Sequence, residues 1–455
     1  MASGSSGAAS GGQLEERVDW TAETDQKIPQ AESLAKAGQL TEALALLANL
    51  EKKCRVGNDN TSLVRVCKTS LQLCSEAKDM DALISTLETL STRRSQKMAA
   101  IRTLVQTALP WCVVEPYEPI TVTNDAEKTD RDRLVKCLRD ITDGKIFLEK
   151  ERAQLTRALS KIKEQEGDVT GAADIIQEVH VETYGSLSKK DKVEFILEQI
   201  RLVLAKKDYV RAYIVAGKVS RKHLQEETME EYKVRFFTLL AEYHRHDKDA
   251  LELAKDYHAI YSTPHILKDE SLWKQALQAA VLFLCLATHG NEQQDLMHKI
   301  KLDSNLEKLP ACKMAIDLFL KKEIINYPMP PQAELESLPV FLMDDLAKHW
   351  HDTFHRRIIQ HNVRVASVYY QRIRGSRLAQ LLQLEPTRLE REIADMVSEG
   401  AVYAKIDRPN DIIRFAAPKS SEAILSEWAA DIDKVLHLVE TTAHLIHKEN
   451  MTALQ

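Results

Sequence analysis

The chain has 455 residues, 44% of them apolar and 29% charged, and carries a formal net charge of −6. That length exceeds one small core and calls for two or three domains or an extended array, while the charge balance excludes a whole-chain signature of nucleic-acid or anionic-membrane binding. The longest apolar run, Ala279 to Ala287, is far short of the roughly 20 residues a membrane span needs, and seven scattered cysteines without a CxxC pair exclude a disulfide framework or zinc knuckle.

The chain opens on Met-Ala-Ser-Gly-Ser-Ser-Gly-Ala-Ala-Ser-Gly-Gly, with neither a basic nor an apolar segment, so no secretion signal is read there. Residues 1–18 are expected to form a disordered tail, because small residues bury too little surface to offset the entropy of ordering. From 19 to 326, long stretches of 3.6-residue period with few glycines predict helices throughout. A self-similar element recurs in them. Ala37-Gly38-Gln39-Leu40-Thr41-Glu42-Ala43-Leu44 resembles Glu166-Gly167-Asp168-Val169-Thr170-Gly171-Ala172-Ala173, with looser copies at 77–83, 206–212 and 246–251. Each reads as a polar turn and then a small residue opening the second helix of an antiparallel pair.

The spacing from 38 to 78, from 167 to 207 and from 207 to 247 is 40 residues each time, the period of a solenoid of stacked helix pairs. The gap from 78 to 167 is two such steps plus an insertion, and Pro110, Pro116 and Pro119 assign Leu109 to Asp132 to a loop. Cys67 and Cys74, seven apart on an apolar helical pattern, are expected in the core of a reduced, intracellular protein.

Prolines 328, 330, 331 and 339 mark a hinge over 327–340, since proline removes backbone donors and fixes φ. A winged-helix module follows over 341–418. Its first helix carries Val363, Ala366, Tyr370 and Ile373 on one face, and Ser376 is placed to cap a short second helix. Thr387 and Glu390 form a capping box for the third helix, which Gly400 ends. Val402 to Ile406 and Ile412 to Phe415 read as a two-stranded wing. The last segment, 419–455, holds one helix from about Ser421 to Lys448. Leu425, Trp428, Ile432, Val435, Val439, Thr442 and Ile446 are spaced 3, 4, 3, 4, 3, 4, an a/d seam over about three heptads. Packing back onto its own module is the plain reading of that seam, and joining a bundle with other chains is the sharper one.

The third helix of the module has Glu385, Glu390, Glu392, Asp395 and Glu399 against Arg388 and Arg391. A helix seated in a DNA major groove must neutralise phosphates, so this one is expected to grip protein. Arg372, Arg374 and Arg377 cluster at the start of the module without an aromatic platform, which favours salt pairing with a neighbouring protein over RNA.

Histidines 349, 351, 355 and 361 sit close together, but His351 and His355 lack the Glu of HExxH between them. His349-Trp350-His351 opens an HxH pattern that the next residues do not continue, so all are read as exposed helix histidines. No phosphate loop, dinucleotide turn or nucleophile elbow occurs. The chain is read as no enzyme, without metal or cofactor.

A helical-repeat array running into a winged helix with a trailing helix resembles the layout of PCI proteins. That family includes scaffold subunits of the proteasome lid, the signalosome and translation initiation factor three. The segments Leu90-Ser91-Thr92-Arg93-Arg94-Ser95-Gln96, Gly144-Lys145-Ile146-Phe147-Leu148-Glu149 and Val181-Glu182-Thr183-Tyr184-Gly185-Ser186 are similar to the proteasome-lid branch. Phe195-Ile196-Leu197-Glu198-Gln199 and His361-Asn362-Val363-Arg364 extend the similarity, which covers about residues 20 to 450.

The resemblance implies a mainly α fold: a right-handed, TPR/HEAT-like solenoid, then a winged-helix PCI module and a long C-terminal helix. It implies a non-catalytic scaffold in the cytoplasm and nucleus, an obligate hetero-oligomer bound neither to nucleic acid nor to membrane. Its partners would be other PCI lid subunits, the lid deubiquitinase pair, the ATPase ring and the core particle; the signalosome and the initiation factor are the alternatives. Wing modules would line up through their sheets and terminal helices gather in a bundle. The residues expected at those contacts are Val402, Tyr403, Ile412 and Ile413 of the wing and Leu425, Trp428, Ile432, Val435, Val439 and Ile446 of the terminal helix.

Overall fold

The computed structural model describes residues 19–114, 118–120, 125–338, 341, 346–416 and 419–453. The expected tail at 1–18, Pro116 and Pro339 lie outside them. The chain is mainly α and divides into two compact units, the first ending at His246 and the second starting at Asp247.

The first unit is built of helix pairs: α1 (Thr21–Lys36), α2 (Leu40–Val56), α3 (Asn60–Glu76), α4 (Met80–Thr92), α5 (Met98–Ala108), α6 (Asp125–Thr142), α7 (Glu149–Gln165), α8 (Val169–Gln177), α9 (Lys189–Ala205), α10 (Tyr209–Ala216) and α11 (Glu230–Asp247). The recurring turn has a defined chemistry. One residue takes a left-handed conformation, at Gly38, Asn58, Lys78, Gly167 and Lys207. In the copies at Lys78, Gly167 and Lys207, the next residue sends its N–H back to a carbonyl five residues earlier, as from Asp208 to Val203 (3.1 Å). The Asp at that position caps the following helix: Asp79 accepts from Ala82 N–H (3.0 Å) and Asp168 from Gly171 N–H (2.8 Å).

The repeat signal is thus a C-terminal stop fused to an N-cap, rather than the small residue that follows it. The same turn occurs at Asn58-Asp59, which the sequence reading passed over, and in the second unit it sits at Lys248.

Stacking shows itself as polar contacts about one repeat apart. Arg65 pairs with Asp25 (2.7 Å), Arg157 with Glu194 (2.9 Å), and Arg201 with both oxygens of Glu164 (2.7 Å each). Arg93 pairs with Glu51, which is 1% exposed and also receives Arg55. Some of the segments that carry the resemblance make these locks: besides Arg93, Ser186 donates to Glu149 (3.2 Å), while Gln96 makes a local contact to the Leu90 carbonyl (2.9 Å).

The insertion differs from the expected loop. Val113–Val114 (β1) pairs with Glu118–Pro119 (β2), and α6 already begins at Asp125. All seven cysteines are buried and free, and Cys67 and Cys74 lie in the core as their apolar spacing predicted.

In the second unit, α12 (Ala250–Tyr261) is followed by the short α13 (Pro264–Lys268) and packs on α14 (Glu270–Leu286), a helix whose stretch Ala280–Leu286 is entirely buried. Then come α15 (Asn291–Lys301) and α16 (Pro310–Leu320), and a 23-residue helix Ala347–Tyr369. The segment before that helix is fastened to it: Asn362 accepts the Ile325 N–H and donates to the Ile325 carbonyl, both at 2.8 Å.

The winged helix is completed by helices Gly375–Leu382 and Pro386–Ser398 and a three-stranded antiparallel sheet in the order β3 (Arg372–Arg374), β5 (Ile412–Arg414), β4 (Lys405–Asp407). Ile359, Val363, Leu378, Leu389, Ile393, Met396 and Ile413 form its core.

Four local expectations are corrected. Tyr370 and Ile373 leave the first helix, and Ile373 reaches the core from β3, because that strand completes β5's ladder through the pair Ile373–Ile413. Ser376 does not cap the short helix; Asp411 of the wing turn does, accepting Ser376 N–H (3.1 Å) on its side chain and Gly375 N–H (3.0 Å) on its carbonyl. No capping box forms at Thr387, since Pro386 occupies the first helical turn, where its missing N–H costs nothing, and Glu390 reaches Arg408 instead (3.1 Å). The strand expected from Val402 begins only at Lys405.

Candidate protein-protein interface

The terminal helix spans Ser421–Ala453. Its sequence has no Gly or Pro, Ser420 Oγ accepts the Ala423 N–H (3.2 Å), and Lys419 clamps Glu427 (2.6 Å). At 1.5 Å per residue it is about 50 Å long. Every described side chain from Ser421 to Thr452 is exposed. Leu425, Trp428, Ile432, Val435, Val439 and Ile446 remain 44–64% exposed. Ile424, Leu438 and Leu445 flank this seam on one side, and Leu436, which the heptad reading left out, on the other. Soluble chains rarely leave so continuous an apolar stripe in water, and each such side chain is worth about 1.5–3 kcal/mol when buried.

The wing residues separate by burial. Ile413 is 2% exposed, held between Ile373 and Ile406, so it supports the sheet from inside. Val402, Tyr403 and Ile412 are half-buried. Among the described residues both β3 and β4 are edges three residues long, with one side left to a neighbouring strand.

The outward face of the sheet is cationic: the register sets Arg372 beside Arg414 and Arg414 beside Lys405, and all three are exposed. Like charges directly opposite oppose pairing, so this row suits an acidic surface. The sequence showed the cluster of Arg372, Arg374 and Arg377; Arg414 and Lys405 join Arg372 by strand pairing. The neighbouring third helix is less acidic than its sequence. Arg356 takes up Glu392 (3.1 Å) and Asp395 (2.7 Å), and Arg408 takes up Glu390.

Of the four histidines expected to be exposed only His351 is, while His349 and His355 are half-buried. His361 is buried, its Nε2 donating to the Glu323 carbonyl (3.2 Å), and burial pushes its pKa down to about 4. His355 lies edge-on to Tyr327 and His351 against Phe341. Among the described residues no group of three or more His, Cys, Asp or Glu is placed to hold a metal ion, and no helix is long and apolar enough to cross a membrane.

Helical repeats, a winged helix with open edges and an uncovered terminal helix define a PCI-type assembly subunit, and the comparisons with known proteins agree. Three family models match: "PSMD12/CSN4, N-terminal" over residues 42–269, "PCI domain" over 335–416 and "26S proteasome regulatory subunit RPN5 C-terminal domain" over 422–453.

The chain belongs to the family of 26S proteasome non-ATPase regulatory subunit 12. It is 36% identical over 430 residues to that subunit of Dictyostelium discoideum, covering 94% of this chain and 93% of the relative. It is also 36% identical over 440 residues to the regulatory subunit RPN5 of Saccharomyces cerevisiae (95% and 96%), and 34% identical over 444 residues to homolog A of Arabidopsis thaliana (92% and 98%).

Proposed function

We propose that this chain is a non-catalytic structural subunit of the lid of the 26S proteasome regulatory particle, present in cytoplasm and nucleus. It acts by position: it braces the particle so that a partner deubiquitinase and the ATPase ring act on ubiquitin-tagged substrates. Its partners are other PCI lid subunits, joined through wing edges and the terminal helix, then the deubiquitinase pair, the ATPase ring and the core particle. The parts divide the labour, with repeats over 19–326, a hinge at 327–340, the winged helix at 341–418 and the bundle helix at 419–455.

The observation that carries this reading is the uncovered terminal helix. A 33-residue helix with an apolar seam along its length needs other helices to cover it, and the seam matches the C-terminal family of the proteasome subunit. That match also favours the lid over the signalosome and the initiation factor, which share the PCI layout.

Affinity purification of the tagged chain and of a copy lacking 421–455, read by mass spectrometry, tests it. The full chain is expected to bring down lid and ATPase subunits and the shortened one not. Recovery of signalosome or initiation-factor subunits would keep the fold and discard the function.

A further inference from the structure

A cleft of about 390 Å³ lies within the second unit, between the end of α16 and the winged helix. Its lining includes the cationic Lys321, Lys322 and Arg364 and the apolar Val365, Val402 and Phe415. Among the described residues no carboxylate lines it.

Arg364 is the telling residue. In the run His361–Arg364, His361 and Asn362 hold the 323–325 segment and Val363 is fully buried in the winged-helix core. Arg364 is half-buried and, among the described residues, makes no ion pair. Burial, and then the neighbouring Arg357, push its pKa down to about 10. Arg357 itself is satisfied by the Leu286 carbonyl (2.9 Å) and Gln360 (2.6 Å), with Glu399 and Glu392 in its vicinity; Glu392 is already committed to Arg356. His289 and His361 both have lowered pKa values, so at neutral pH they add no charge, and the cationic groups are the arginine and two lysines. A guanidinium drawn partly out of water without a counter-charge is costly unless an anion completes it.

We propose that this cleft seats an acidic segment of a partner protein, with carboxylates on Arg364, Lys321 and Lys322 and an apolar side chain against Val365 and Phe415. The apolar part of the lining favours such a peptide over a small polyphosphate, which would leave it bare, and over nucleic acid. The proposal rests on the assembly reading above, and its test separates the two.

A photo-crosslinking residue at Val368, an exposed position lining the cleft, is carried by the full chain in whatever complex the tagged protein purifies in. The subunits recovered test the assembly reading; the sequence of the crosslinked peptide tests the cleft. The expected product is one partner segment with two or more Asp or Glu beside an apolar residue. Its yield should fall at least about tenfold in Arg364→Gln and in Lys322→Glu. Lys322 is exposed and, among the described residues, its side chain makes no hydrogen bond or ion pair, so that variant is expected to stay folded if Arg364→Gln does not. No crosslink, crosslinks confined to this chain, to nucleic acid or to a segment without acids, or a yield indifferent to both variants, would overturn it.

Discussion

Asn362 does alone what a strand pair does with two backbones, since its amide matches both the N–H and the carbonyl of Ile325 in a buried place. Asn362→Leu leaves both groups unpaired at about 1–3 kcal/mol each, so denaturant unfolding should lose about 2–6 kcal/mol. Asp59 shows the charged counterpart. Burial alone would raise its pKa, but hydrogen bonds from Ser62, Thr61 and the Trp20 N–H outweigh that and hold it well below the usual carboxylate range.

A carboxylate depressed in the folded state stabilises above its unfolded pKa, about 3.9, and that contribution is lost as pH falls below it. Asp59→Ala should therefore cost about 1–2 kcal/mol at pH 7, with the gap to the unaltered chain closing below about pH 4. The cysteines make a third case. Burial raises Cys67 and Cys112 to about 12, and thiolate is the reactive form. A thiol titration should find all seven unreactive in the native chain and all seven after denaturation.

Elements repeat here because a turn repeats. Where Gly38 and Gly167 sit at φ +88° without strain, Lys78, Lys207 and Lys248 hold φ of 56–66° against the steric preference of a side chain. Lys207→Gly should therefore raise unfolding stability, by about 0.5–1 kcal/mol after the glycine's greater unfolded-state entropy is subtracted. The terminal helix works oppositely: its seam stabilises nothing within its own chain. Trp428→Ala with Ile432→Ala should leave the melting of the isolated chain unchanged and weaken incorporation strongly, at about 2–5 kcal/mol for each large side chain lost from a packed site. Normal incorporation of that double variant in the purified complex would sink the bundle reading.

For the whole molecule, much was legible along the chain because it is written in short-range terms. Helical period, the 40-residue spacing, the wing and the a/d seam all depend on residues within a few positions of one another or on a repeat of such patterns. What the sequence did not disclose depends on groups far apart in it. Asp411 caps a helix 36 residues earlier, β3 joins the sheet from a segment read as helix, and Arg356 quenches the acidic third helix from another element. The cationic row and the cleft are likewise made by residues that only strand register and helix packing bring side by side.

By itself, then, the sequence determined which segments are helical, that they stack as repeats, and that the last helix carries a long apolar seam, since propensity and periodicity are local properties. Only the tertiary structure decided which charges remain free and which edges stay open, because pairing and burial are set by neighbours in space rather than along the chain.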